Sequence, residues 1–225
     1  MFQMDLAERA AVHLAELRKL GFDVLASDDF EQIEELMQAA GSPFRTPMFD
    51  LRRNDFTKGE AFWLFLMRAG KPAGGLAARL VDLKDENFFN YMQRTSAQHY
   101  GADAPLAAMA APLRQRLAGR LVHLGELHLR AEDLAKPELM RAFGHMAVVL
   151  SAMSWPEFDW MYSFAPEAHS TLQAAYGFPI VTPHALSWRA PVPYAHESTE
   201  AVIYLSKVDF LHLLSLGARR TQDVT

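Results

Sequence analysis

The stretch GRLVHLGELHLR, residues 119–130, holds the densest polar cluster in any apolar segment of the chain: His123, Glu126, His128 and Arg130. Carboxylates and imidazoles are the side chains that exchange protons most readily in a protein site. On a regular strand alternate residues share a face. That sets Glu126, His128 and Arg130 on one side with Leu124, and His123, Gly125, Leu127 and Leu129 on the other. Glu126 or His128 is then placed to take up a proton from a bound group, directly or through water. The competing reading is the polar face of a half-exposed strand. Imidazole and carboxylate also suit zinc or iron, but His123 lies opposite the other two, and no H-E-x-x-H spacing occurs. No metal centre is expected unless a bulge brings the three together.

A frame must hold these residues. After residue 130 come a short connection, AEDLAKPE, and an amphipathic helix, LMRAFGHMAVVLSAM. A strand leading into an exposed helix N-terminus presents free N–H groups and a positive dipole end, an arrangement suited to phosphates. Upstream, Leu6, Ala10, Leu14 and Leu17 predict a helix over 5–20, stopped at Gly21. A short strand follows at 22–27. Asp28 and Asp29 can cap the next helix, with the face Phe30, Ile33, Leu36, Met37 and Ala40. Residues 42–60 read as loop, and AFWLFLMRAG (61–70) as a buried strand. Gly70 to Gly75 would turn the chain into a partner strand ending at Leu83, giving an antiparallel hairpin. Residues 84–118 look like an inserted helical segment. Its aromatics Phe88, Phe89, Tyr91 and Tyr100 form either a lid over a ligand or the apolar face of a helix, the simpler reading. Downstream lie a strand at 158–165, a helix opened by Pro166 and running to Ala175, strands at 179–190 and 201–206, a terminal helix from Lys207, and a fraying tail, RRTQDVT. His184, Trp188 and Arg189 on the late strand are candidates for a pocket wall, with packing the simpler reading. His145, between apolar residues of a helix, reads as structural. The pattern predicts an α/β (α+β) domain with a mixed sheet.

Composition bounds the function. Half of the 225 residues are hydrophobic and 22% are charged, with a formal net charge of −5, an ordinary globular profile without the basic excess of a nucleic-acid binder. The absence of cysteine excludes disulfides, thiolate metal sites and a cysteine nucleophile. The start, MFQMDLAERA, lacks the apolar run of a secretory signal, and no window approaches 18 uninterrupted apolar residues. A cytoplasmic protein without nucleic-acid or membrane partners is expected. Neither a Walker loop nor a G-x-G-x-x-G occurs.

The order of elements resembles the GCN5-related N-acetyltransferase (GNAT) superfamily, the acyl-CoA N-acyltransferase fold. Two stretches carry the resemblance along with that order: Gly70-Lys71-Pro72-Ala73-Gly74-Gly75-Leu76, like the family's turn between its second and third strands, and Ala175-Tyr176-Gly177-Phe178, like its Gly-Phe pair after a helix. The resemblance implies a mostly antiparallel central sheet flanked by helices over 22–206, with helix 1–21 before it, segment 84–118 inserted and a helix and tail at 207–225. It implies transfer of an acyl group from acetyl-CoA or another acyl-CoA to a small-molecule or peptide amine, and is compatible with a homodimer. Glu126 or His128 would be the base and Tyr176 the acid for the leaving thiolate. Leu127 and Leu129 would align the pantetheine arm, while Leu134, Ala135, Lys136, Glu138 and Leu139 would face the pyrophosphate. The family's R/Q-x-x-G-x-G/A loop is altered here: Leu134 stands at its basic or amide position, no glycine follows, and Pro137 has no N–H. The family's usual acid position holds Gln173. A non-catalytic binding module, or a transferase using a bulkier donor such as an acyl carrier protein or aminoacyl-tRNA, is therefore the alternative.

Overall fold

The computed structural model describes residues 2–41, 46–101, 103–167, 170–194 and 196–222. Pro43 in the expected 42–60 loop and the last three residues of the tail lie outside them. Helix α1 (Phe2–Lys19) ends at Gly21, whose φ of +82° suits a residue without Cβ. Strand β1 (Asp23–Ser27) leads to α2 (Phe30–Ala39), where the Asp29 carboxylate accepts from Glu31 and Gln32 N–H, as the sequence predicts. Strands β2 (Ala61–Arg68) and β3 (Lys71–Asp82) form the expected hairpin. Its turn is only Ala69-Gly70, both with positive φ, which matches the twist of a two-residue hairpin. Gly74 and Gly75 belong to β3 rather than to the turn. A Cβ on Gly74 would run into Leu129 and the His128 backbone, and one on Gly75 would press on Phe65, so these glycines serve close approach between strands.

Helix α3 (Phe88–Tyr100), strand β4 (Leu106–Met109) and α4 (Ala111–Arg116) make up the inserted segment. Strand β5 (Arg120–Leu129) runs into a one-turn helix α5 (Ala131–Leu134) and then α6 (Pro137–Ser154). Strand β6 (Trp160–Pro166), helix α7 (Ser170–Tyr176), strands β7 (Ile180–Trp188) and β8 (Thr199–Ser206), and α8 (Lys207–Gln222) complete the order. Pro166 ends β6 instead of opening a helix, since its fixed φ fits an extended chain as well.

Among the described residues eight strands form one mixed sheet in the order β1-β2-β3-β5-β6-β8-β7-β4. Every neighbouring pair is antiparallel except β5 and β6. Helices cover both faces, as the resemblance implies. One face packs Val122, Leu124 and Leu129 against α1 and α6 residues such as Leu6, Leu17, Phe143 and Met146. The other packs Trp63, Phe65, Leu121 and Tyr162 against Ile33 of α2, Phe88 and Met92 of α3 and Leu113 of α4. Phe88 and Tyr91 are thus core residues, as the simpler reading has it. No helix of the described residues is long and apolar enough to cross a membrane.

Candidate active site

The sheet opens at its one parallel pair. Strands β5 and β6 register only at Leu121–Trp160, Val122–Met161 and His123–Tyr162. Beyond His123, β5 continues along β3 to Leu129 while β6 follows β8 to Pro166. The two strands part, and a cavity of about 420 Å³ occupies the fork, within the size range of small-molecule sites. Gly125 and Glu126 form one wall, Ser163 to Pro166 the other, and Thr46, Phe49, His196 and Glu200 close it.

A bulge decides which residues face this cavity. Ala77 pairs with Gly125 and Gly75 with His128, so Glu126 and Leu127 together oppose Leu76. Glu126 takes a φ of +58°, rare for a residue with a Cβ. Before the bulge, His123 and Gly125 face Phe49, and Leu124 faces the α6 side. The bulge then turns Glu126 to the His123 side, and Leu127 and Leu129 fall with Leu124 against the α1–α6 core. His128, paired with Gly75, returns to the Glu126 side. Strict alternation therefore misplaces Glu126 relative to His123, and Leu127 and Leu129 relative to Leu124, by the one inserted residue.

Glu126 Oε1 accepts from the Thr46 N–H at 2.9 Å and the Thr46 hydroxyl at 2.6 Å. Charge-assisted bonds of this kind fix a carboxylate in place. His123 stacks on Tyr162 with centroids 4.7 Å apart and is 3% exposed. Burial, helped by the nearby charges of Arg79 and His196, pushes its imidazole well below the usual value, so it is neutral at pH 7. Its Nδ1 is buried and has no hydrogen-bond partner among the described residues. Although the bulge brings His123 and Glu126 to one cavity, no group of three metal-ligating side chains is found among the described residues.

The opposite wall holds residues that the pattern of the sequence hid. His196 Nδ1 lies 2.9 Å from Glu200 Oε2, and its Nε2 lies 2.9 Å from the Tyr100 hydroxyl. The Trp188 indole N–H donates to Glu200 at 2.8 Å. One signal is available: Glu200 borders the apolar run AVIYL, and a carboxylate at the start of a buried strand needs partners. Trp188 packs on His196, a packing role beside the pocket.

The α5 part of the expected phosphate cradle satisfies its own N–H groups. The N–H groups of Asp133 and Leu134 donate to the Arg130 carbonyl, and those of Ala135 and Lys136 to the Asp133 carbonyl. Pro137 has none to give. Arg68 and Lys136 both donate to the fully buried Asp133 carboxylate, Lys136 at 2.9 Å. Burial alone would raise that carboxyl, but these two cations outweigh it and hold the group below the usual carboxylate range. Leu134 is exposed, and Glu138 lies in the first turn of α6.

Tyr176 does not reach the fork. It is 2% exposed, at the end of α7 beside Phe178. It lines a separate cavity of about 350 Å³ with His13, His145 and Leu214. Burial pushes its hydroxyl up. Its ring belongs to the apolar core with Ala175 and Phe178.

No family model matches the sequence, and no curated protein does. Among solved structures the chain is similar to a Drosophila melanogaster polyamine N-acetyltransferase, at 12% identity over 82% of this chain and 100% of that one, with a TM-score of 0.49. It is also similar to FeeM, an N-acyl amino acid synthase from uncultured soil microbes, at 11% identity over 82% and 90%, with a TM-score of 0.44. A GNAT-family acetyltransferase from Staphylococcus aureus Mu50 matches at 8% identity over 82% and 98%, with a TM-score of 0.42. At these identities and scores the likenesses say nothing about chemistry, for which the fork between β5 and β6 is the guide.

Proposed function

We propose that this chain transfers an acyl group from a thioester to a small-molecule or peptide amine in the β5–β6 fork. The observation that carries this reading is the fork itself: two parallel strands part after three paired residues, and a bulge turns Glu126 into the resulting cavity. The amine nitrogen attacks the thioester carbonyl carbon, the C–N bond forms, the C–S bond breaks and a thiolate leaves. Glu126, held by Thr46, takes the proton that the amine must lose; general-base help of this kind contributes roughly 10²–10⁴-fold. His128, two residues on and on the same side, is the alternative base. Beyond His123 the β5 edge around Leu127 and Leu129 has lost its strand partner on the fork side, which leaves main-chain groups to pair with the amides of a pantetheine arm.

Acetyl-CoA or another acyl-CoA is the first donor to consider, with its pyrophosphate near Leu134, Ala135, Lys136, Glu138 and Leu139. The self-satisfied turn of α5 favours a second reading. An acyl carrier protein presents the same pantetheine arm while keeping the phosphate on its own surface, and needs no cradle at α6. Thermal unfolding and thiol release test both, with acetyl- and octanoyl-CoA, octanoyl-loaded acyl carrier protein, and an amine panel of spermidine, agmatine, a dipeptide and phenylalanine. A donor at about 100 times its dissociation constant adds about 2.7 kcal/mol. An upshift together with amine-dependent thiol release supports the transfer. Neither response with any donor would reassign the chain to a non-catalytic binding module.

A further inference from the structure

At the end of the sheet away from the fork, basic side chains meet an apolar hollow. Arg9 and His13, one turn apart on α1, and His145 of α6 line the separate cavity of about 350 Å³ together with Val148, Phe210 and Leu213. Its volume falls within the range of small-molecule sites. Leu205, also in its wall, lies five residues along β8 from Glu200 of the fork, about 16 Å away on an extended strand. The two cavities are distinct. Arg9 gives one N–H to the Leu214 carbonyl at 3.3 Å and pairs with no carboxylate among the described residues. His13 turns Nδ1 toward Glu16 at 3.1 Å, and its ring meets that of His145 edge-on, with centroids 5.3 Å apart. The His145 side chain makes no hydrogen bond among the described residues. Gly177 makes room for it, since a Cβ there would lie 2.7 Å from His145 Nε2. Burial, followed by the charges of His13 and Arg141, pushes this imidazole down to about 4, so at pH 7 it is a neutral ring with one N–H to give.

We propose that this cavity binds a small carboxylate with an apolar tail, of the class of a medium-chain fatty acid, its head on Arg9 and its tail against Val148, Phe210 and Leu213. The site is independent of the acyl-transfer reading. An arginine covered by a purely apolar molecule would lose water without gaining a partner. A free phosphate would pair with Arg9 and leave the valine and leucine wall bare. A fatty carboxylate satisfies both parts. Its two oxygens match the fork of the guanidinium, and its tail removes apolar surface from water. The unbonded His145 ring is a further donor in the same cavity.

Calorimetric titration of the full chain with octanoate, 1-octanol and octylamine separates the head from the tail. Octanoate should saturate one site, while the alcohol and the amine, which carry the same tail, should bind about tenfold or more weakly. Arg9→Gln should weaken octanoate by about tenfold or more and leave 1-octanol unchanged. Leu213→Glu is a second probe that leaves the Arg9 side chain in place. Leu213 is 45% exposed, so the fold tolerates the charge, and a carboxylate in the wall should compete with octanoate for Arg9 and weaken it by a similar factor. No saturable octanoate binding at millimolar concentration overturns the site. Equal binding of octanoate and 1-octanol, or wild-type octanoate affinity in either variant, overturns the assignment of the carboxylate to Arg9.

Discussion

Asp133→Asn separates the charge at the start of α6 from its shape. In the wild type one carboxylate oxygen accepts from both Arg68 and Lys136 inside a fully buried position. Hydrogen bonds to a charged group contribute about 1.5–3 kcal/mol each. Arg68 and Lys136 are themselves 35% and 48% exposed, so solvent screening reduces the worth of the pair. Asparagine keeps an acceptor oxygen and loses only the charge, which leaves an expected destabilisation of about 1–2 kcal/mol, or roughly 2–8 °C in melting temperature for a chain of this size. The sign of the pH effect follows from the carboxyl being held below its ordinary value of 3.8. Its contribution is complete above that value and disappears as pH falls through the lower folded-state value. Urea unfolding at pH 7 should therefore show the full gap between wild type and variant, and at pH 3 a smaller one. An equal midpoint at pH 7, or a gap unchanged at pH 3, would refute this account of the ion pair. The same substitution removes the negative charge between Arg68 and Lys136 near a helix N-terminus, so acyl-CoA binding should tighten severalfold if that charge is what closes the cradle.

Two further substitutions test the site and its support. Glu126→Gln keeps an acceptor for Thr46 N–H and hydroxyl, so the melting temperature should change little while amine-dependent turnover falls by about 100-fold or more; unchanged turnover removes Glu126 from the mechanism. Gly144→Ala places a methyl group 2.7 Å from the Ala175 carbonyl carbon, backbone that cannot swing away, so α6 and α7 must separate at a cost of about 1–3 kcal/mol; a urea midpoint equal to wild type would show that the helices give way freely.

The frame was readable from the sequence because its signals are local. Asp29 caps α2, apolar spacing marks α1 and α6, and the run AFWLFLMR has the length of a buried strand. The site was only half readable, because its parts meet through space. Thr46, Tyr100 and the His196–Glu200 pair come from three separate stretches, and no spacing rule links one stretch to another. The resemblance puts the acid position at Gln173, and Tyr176 is only a nearby candidate, with its ring packed against α6 at Gly144. The run Gly70 to Gly75 predicts turn residues, whereas Gly74 and Gly75 let β5 and β2 come close.

The bulge at Glu126 shows how local rule and final geometry part company, and why the chain accepts the irregular form. With strict alternation Glu126 would follow Leu124 onto the α6 side, among Leu139, Phe143 and Met146. Desolvating an unpaired carboxylate there costs several kcal/mol. A single left-handed residue costs roughly 1–2 kcal/mol. The bulge is the lesser cost, and it also returns Leu127 and Leu129 to the apolar side. Gly125, next to it, has no room for a side chain, since a Cβ would lie 2.6 Å from the Phe49 ring. That ring packs on His123 at 5.0 Å, so the cavity floor, the glycine and the bulge depend on one another. A glutamate in the middle of an apolar strand is thus the mark of a register break, and the break is what places a carboxylate in the fork.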